Sequence, residues 1–223
     1  MAGHREFSIE YKWAPWRCAV PVAADLLDQN RGRFYDQMDH PWSHSQWIEG
    51  NIVVDPGGEL VNILRWNDRG DFCGEPNLDR AVIVHVSADG QKLAMDRDII
   101  EFPGGGSKFT IRLDGQSGRY WSLVNVEDIS EGPLPYRNHL CVSSSEDLRS
   151  WVVHERILYH PDPKFHAFQY VDWVFDGEDI IFVSRTAYDD DTGGAYRAHD
   201  ANFLTFHRLE SFRYLTGSIW KYR

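Results

Sequence analysis

The sequence predicts an all-β fold of repeated antiparallel strands, and three observations carry that prediction. One pattern occurs three times: residues 49–65, 108–125 and 170–185 each read as strand, Asp-plus-Gly turn, apolar strand and polar end. The turn aspartates Asp55, Asp114 and Asp176 are spaced by 59 and 62 residues. A period of this size, made of short strands, marks propeller blades or another β array. A third apolar run follows each copy, at 81–87, 139–145 and 202–208. Together these predict an all-β, incomplete β-propeller of four-stranded antiparallel blades, about three and a half in number.

The elements follow in order. Cys18–Val22 and Ala24–Leu26 read as the tail of an earlier blade over 13–46, with one short helix-like stretch at Pro21–Gln29. The first full blade is expected near 47–100, its hairpin closed by Asp55-Pro-Gly-Gly58 and its fourth strand around Lys92–Met95. The second spans about 105–160, introduced by Pro103-Gly-Gly-Gly106 and closed by a strand over Trp151–Leu158. The third spans about 166–213 and shows no clear fourth strand after Arg208. All 223 residues are expected to form one domain. An open half-ring leaves strand edges and apolar sides uncovered, so the chain is expected to self-associate or to bind a partner that supplies the missing blades.

Composition narrows the function. The net charge is −11 and there is no Lys/Arg run, which argues against nucleic acid as a partner. No apolar run approaches the roughly 18 residues of a membrane helix. The three cysteines, Cys18, Cys73 and Cys141, have neither zinc-ligand nor disulfide-scaffold spacing. The N-terminus lacks an apolar signal segment, so the chain as written is expected in the cytoplasm, or outside the cell if cut from a longer secreted parent. Nine Trp and ten Tyr suit blade packing, and they equally suit stacking on sugars.

The polar residues recur at equivalent places. Six residues before each turn aspartate stand Glu49, Lys108 and Tyr170; four before it stand Asn51, Thr110 and Asp172. Strand alternation points the two members of each pair the same way. The second strands end in Arg65, Asn125 and Arg185. A shared polar cavity accounts for all of them; ion pairs between strands, such as Asp172 with Arg185, are the alternative. The densest cluster is Gln169-Tyr-Val-Asp-Trp173, with His166 just before it. Three long loops, 66–80, 126–138 and 186–201, join second to third strands, and such loops commonly carry function. The last holds His199-Asp200, able to orient a base or a sugar hydroxyl, and Asp189, Asp190 and Asp191, which offer hard oxygen ligands to Ca²⁺ or form a solvated acidic loop. Apart from that Ca²⁺, no cofactor or metal is expected.

Ser145-Glu-Asp-Leu-Arg-Ser-Trp151 resembles the Ser-x-Asp-Leu-x-x-Trp signature of glycoside-hydrolase propellers, a near relative of the sialidase Asp-box. The runs 47–51, 102–109, 168–173, 184–188 and 199–208 are similar to bacterial sialidase-superfamily proteins. The resemblance implies a glycosidase with its site on the propeller axis. True sialidases set three arginines against the substrate carboxylate, with a Tyr/Glu nucleophile pair and an Asp acid. On this chain it offers Arg65 and Arg185 as arginines, with no third evident, and Glu49, Tyr170 and Asp172 as catalytic groups. Lys108, Asn51, Trp173, His166, His199 and Asp200 complete the expected substrate-binding set. The expected function is hydrolysis of glycosidic bonds in an anionic or hydroxyl-rich glycan. The alternatives are a non-catalytic carbohydrate-binding or interaction module, a phosphorylase or lyase on the same fold, and an inactive remnant.

Overall fold

The structure is a computed structural model that describes residues 46–67, 79–94, 98–126 and 136–217. The half-blade expected over 13–46 lies outside the described residues, apart from Gln46, and so does the stretch Pro21–Gln29. The described chain is all-β and forms three antiparallel sheets in sequence order. The first contains β1 (Gln46–Val54), β2 (Leu60–Asn67), β3 (Arg80–Val86), β4 (Leu93–Ala94) and β5 (Ile99–Glu101). The expected fourth strand is split there, because both β4 and β5 pair with β3. The second is β6 (Thr110–Asp114), β7 (Arg119–Asn125), β8 (His139–Ser145) and β9 (Trp151–Tyr159). The third is β10 (Ala167–Asp176), β11 (Asp179–Ala187) and β12 (Phe203–Leu209), three strands in all. No closed ring forms among the described residues.

Local chemistry explains the hairpins. The Asp55 carboxylate accepts the Glu59 N–H at 2.8 Å, and Gly58 takes the left-handed φ of 86° that the turn needs. Asp114 receives the Ser117 N–H at 3.0 Å, and Gly118 closes that turn. Ser145–Trp151 folds on itself in the same manner. The Asp147 carboxylate accepts the Arg149 and Ser150 N–H groups at 2.8 and 2.7 Å, and the Trp151 indole donates to the Leu148 carbonyl at 3.1 Å. Leu148 and Trp151 then enter the core. The signature is thus a turn-and-core device at the Asp-Gly end of the sheets.

Packing between sheets supplies the cores. Val61, Ile63, Ala81 and Ile83 of the first sheet meet Ile111, Tyr120, Val124 and Cys141 of the second. Trp121, Leu123, Leu140 and Val142 of the second meet Val171, Trp173, Ile180 and Phe182 of the third. Burying such side chains contributes about 1.5–3 kcal/mol each before entropy costs. Polar bonds align the innermost strands across both seams. Asn51 donates to the Phe109 carbonyl at 2.8 Å and accepts the Ile111 N–H at 3.1 Å. At the next seam the Trp173 indole donates to the Thr110 carbonyl at 3.0 Å, and Arg112 Nε donates to the Trp173 carbonyl at 2.6 Å.

Candidate functional site

The site is built at the sheet ends opposite the Asp-Gly turns, where β1, β6 and β10 begin and β2, β7 and β11 end. Two bulges shape it. Register shifts between Ile48 and Gly50 and between Gln169 and Asp172 leave Glu49 and Tyr170 as extra residues, with φ of 39° and 51°. Non-glycine residues seldom adopt this region, and bulges re-aim side chains near functional sites. Glu49 and Tyr170 thus do occupy matching places in their sheets. Lys108 differs: it lies just ahead of β6, partly buried. The bulges also break the strand alternation expected across residues 49–51 and 170–172. Asn51 goes to the first seam, and Asp172 lies two-thirds exposed, 3.1 Å from Arg112 rather than beside Arg185. Trp173 is 2% exposed and packs in the second seam.

Around Glu49 and Tyr170 the fold gathers three guanidinium groups. Arg65 is almost fully buried; its Nη1 lies 2.6 Å from Glu49 Oε2 and its Nε donates to the Gly106 carbonyl at 2.8 Å. Arg137 and Arg185 lie over the Tyr170 ring, 5.3 and 4.9 Å from its centroid. Arg137 also bonds Tyr170 and the Gln169 amide oxygen. Burial lowers the Arg137 pKa, and the nearby Arg65 charge lowers it further; Tyr170 and Glu49 oppose both. Three positive groups and one carboxylate make a local cationic patch in a chain of net charge −11.

Arg137 was not a sequence candidate. It closes one of the three long loops, two residues before β8, and its place in the loop was the only available signal.

The loop after β11 borders this patch. The His199 carbonyl accepts from Arg185 Nη2 at 3.0 Å and from the buried Gln169 amide at 3.1 Å. The imidazole of His199 is itself exposed and sits 3.2 Å from Asp200, which also pairs with Arg197 at 2.7 Å. His166 lies at the base of the loop, 5% exposed. It stacks on His160 at 3.4 Å, with Asp162 and Asp189 each 3.3 Å from one ring nitrogen.

Asp190 caps the loop's own turn, accepting from Thr192, Gly194 and Asn202. Those donors hold its carboxyl well below the usual range. Asp191 is exposed. Among the described residues no group of three or more His, Cys, Asp or Glu side chains is placed to hold a metal ion.

A triglycine segment supports Arg65. Gly104 and Gly105 lie so close to neighbouring backbone that a Cβ would stand 2.1 Å from the Asn125 carbonyl oxygen and 1.9 Å from that of Arg80. Only glycine fits such an approach. Gly105→Ala is expected to push the segment off Arg65 and to cost about 1–3 kcal/mol, the usual cost of overpacking. Denaturant melts of the two proteins check this, and coincident curves would refute it.

No protein-family model and no curated protein matches the sequence. Among solved structures, the chain is distantly similar to a β-fructofuranosidase from Schwanniomyces occidentalis complexed with fructosyl-erythritol, at 13% identity and a TM-score of 0.45, covering 75% of this chain and 36% of that one. It is similar to an N-acetylgalactosamine deacetylase from F. plautii in complex with blood group B trisaccharide, at 12% identity and 0.46, covering 76% and 52%. An exo-β-1,3-galactanase from Clostridium thermocellum gives 14% identity and 0.39, covering 78% and 33%. The chain spans about a third to a half of the length of these structures. Its own sheet order defines the class: an all-β protein of three consecutive antiparallel sheets among the described residues, with a cationic patch at one end.

Proposed function

We propose that the chain is the glycan-recognising part of a carbohydrate-active propeller, and that it takes a sugar carrying a carboxylate. One observation carries this reading: Arg65, Arg137 and Arg185 gather around Tyr170 and Glu49 at one end of the sheets. Guanidinium forks suit planar carboxylates, and aromatic rings suit sugar faces. Glu49 and Tyr170 are the groups beside these arginines able to exchange a proton or attack an anomeric carbon. The chemistry proposed for them is glycosidic-bond cleavage.

A second reading, a non-catalytic glycan-binding module, has its own supporting observation. Glycoside hydrolysis ordinarily uses two carboxyls flanking the bond. Here Arg65 engages Glu49, and Asp172 faces Arg112 at the seam.

The test is titration calorimetry with glucuronate-terminated and neutral oligosaccharides of equal length, followed by turnover assays on the same pair. The anionic sugar is expected to bind more tightly. Arg137→Ala is expected to weaken that binding by about ten- to a hundredfold, the worth of one charge-assisted hydrogen bond of about 1.5–3 kcal/mol. Equal affinity for the two sugars would sink the proposal. Binding without turnover would select the second reading.

A further inference from the structure

We propose that Asp79 is a positioning residue for the site, holding Arg65 in place through the triglycine segment. The inference rests on the reading of Arg65 as a sugar-binding group, and it adds a residue that no motif marks. Asp79 stands at the end of the loop between β2 and β3, one residue before β3. Its two acceptors grip the segment at both ends of one turn. The Asp79 carbonyl accepts the Phe102 N–H at 2.9 Å, and its Oδ1 accepts the Gly104 N–H at 2.7 Å. The turn closes on itself through Gly105 N–H to the Phe102 carbonyl at 3.0 Å and Ser107 N–H to the Gly104 carbonyl at 2.9 Å. It then hands two carbonyls to the end of β2: Gly105 receives the Trp66 N–H at 3.0 Å, and Gly106 receives Arg65 Nε at 2.8 Å.

The chain of bonds therefore runs from Asp79 through Gly104 and Gly106 to Arg65, and from Arg65 to Glu49. Each link is short, and the glycines cannot shift sideways, because Asn125 and Arg80 backbone atoms wall them in. A guanidinium that must meet a carboxylate at fixed geometry needs such a support, since displacements near 1 Å cost about a hundredfold in related settings. Burial also pushes the Asp79 carboxyl up to about 6, against the pull of the Gly104 N–H and with Glu101 adding to the rise. A carboxylate held at that disadvantage beside a site is the pattern expected of a functional position.

The experiment follows the Arg65 Nε–H and Gly104 N–H signals by NMR in the full chain, with Arg65→Lys to assign the first. Asp79→Ala is expected to speed exchange of both protons by at least about tenfold. Asp79→Asn keeps an acceptor oxygen and is expected to restore both. Unchanged exchange in Asp79→Ala would overturn the proposal, as would an Asn variant that behaves like Ala. A scalar coupling across the Gly104–Asp79 hydrogen bond in the unaltered chain decides the matter should Asp79→Ala not fold: its presence supports the link and its absence refutes it. Titration with methyl glucuronide separates this inference from the functional one. If the unaltered chain does not bind it, the carboxylate reading fails, while the exchange data still decide the role of Asp79.

Discussion

Arg213→Ala is expected to cost about 1–3 kcal/mol of stability, the usual result of removing a charge-assisted partner from a partly buried carboxylate. Arg213 follows β12 in a short 3₁₀ turn, Phe212–Tyr214. Its Nε and Nη2 meet the two Asp114 oxygens at 2.7 and 2.9 Å, and its Nη1 donates to the Gly177 carbonyl at 3.1 Å. The two side chains are 12% and 5% exposed, so solvent screens them little. One guanidinium thereby clips the Asp-Gly turn of the second sheet to that of the third. Phe212 drives the same joint, fully buried against Trp121 and Phe175.

The pH dependence has a definite sign. Arg213 first, with help from Ser117 and Gln116, holds the Asp114 carboxyl well below its ordinary 3.8. A depressed carboxylate contributes stability above its unfolded pKa and loses it as pH falls. The gap between the native chain and Arg213→Ala is therefore expected to be full at pH 7 and to close progressively below about pH 4. Denaturant melts across that range measure it. A variant within about 0.5 kcal/mol of the native chain at pH 7 would refute the account.

Asp79→Asn is expected to act in the opposite direction. The Asp79 carboxyl sits at about 6 in the folded chain against an ordinary 3.8. The folded state then binds the proton more tightly than the unfolded one. That stabilisation is complete below the ordinary value and is lost as pH rises through 6. Above pH 6 the chain carries a poorly solvated carboxylate, at a cost on the order of 2–3 kcal/mol. Asparagine stays neutral and still accepts the Gly104 N–H. It is expected to stabilise the protein by that amount at pH 7.5 and by little near pH 4. Equal shifts at both pH values would show that charge is not the cause.

Much of the fold was legible in the residues. The three Asp-plus-Gly turns appear at Asp55, Asp114 and Asp176, because carboxylate-to-backbone bonds and left-handed glycines are local effects. The apolar runs became β3, β8 and β12 because strand periodicity needs no tertiary information. The site was legible only in part. Glu49, Arg65, Tyr170 and Arg185 come together, while Asn51, Asp172 and Trp173 go to the seams between sheets. Two bulges caused the division. Each inserts an extra residue that turns Glu49 or Tyr170 out of register with the residue two positions on, and nothing in the local pattern announces them.

The sequence by itself determined the strand content, the turn positions and the repeat, since each depends on neighbours a few residues apart. It also determined the glycines at 104 and 105, though not their purpose, which lies in backbone 21 and 25 residues away at Asn125 and Arg80. Only the tertiary structure decided which polar groups meet. Arg137 reaches Tyr170 from another sheet, and Asp79 reaches Arg65 through a turn that belongs to neither. The physical reason is that backbone hydrogen bonding and hydrophobic periodicity act over short stretches of chain. The convergence of charged side chains depends instead on bulges and sheet-to-sheet packing, which bring Arg137 to Tyr170, Arg65 and Glu49, 33, 72 and 88 positions away in the chain.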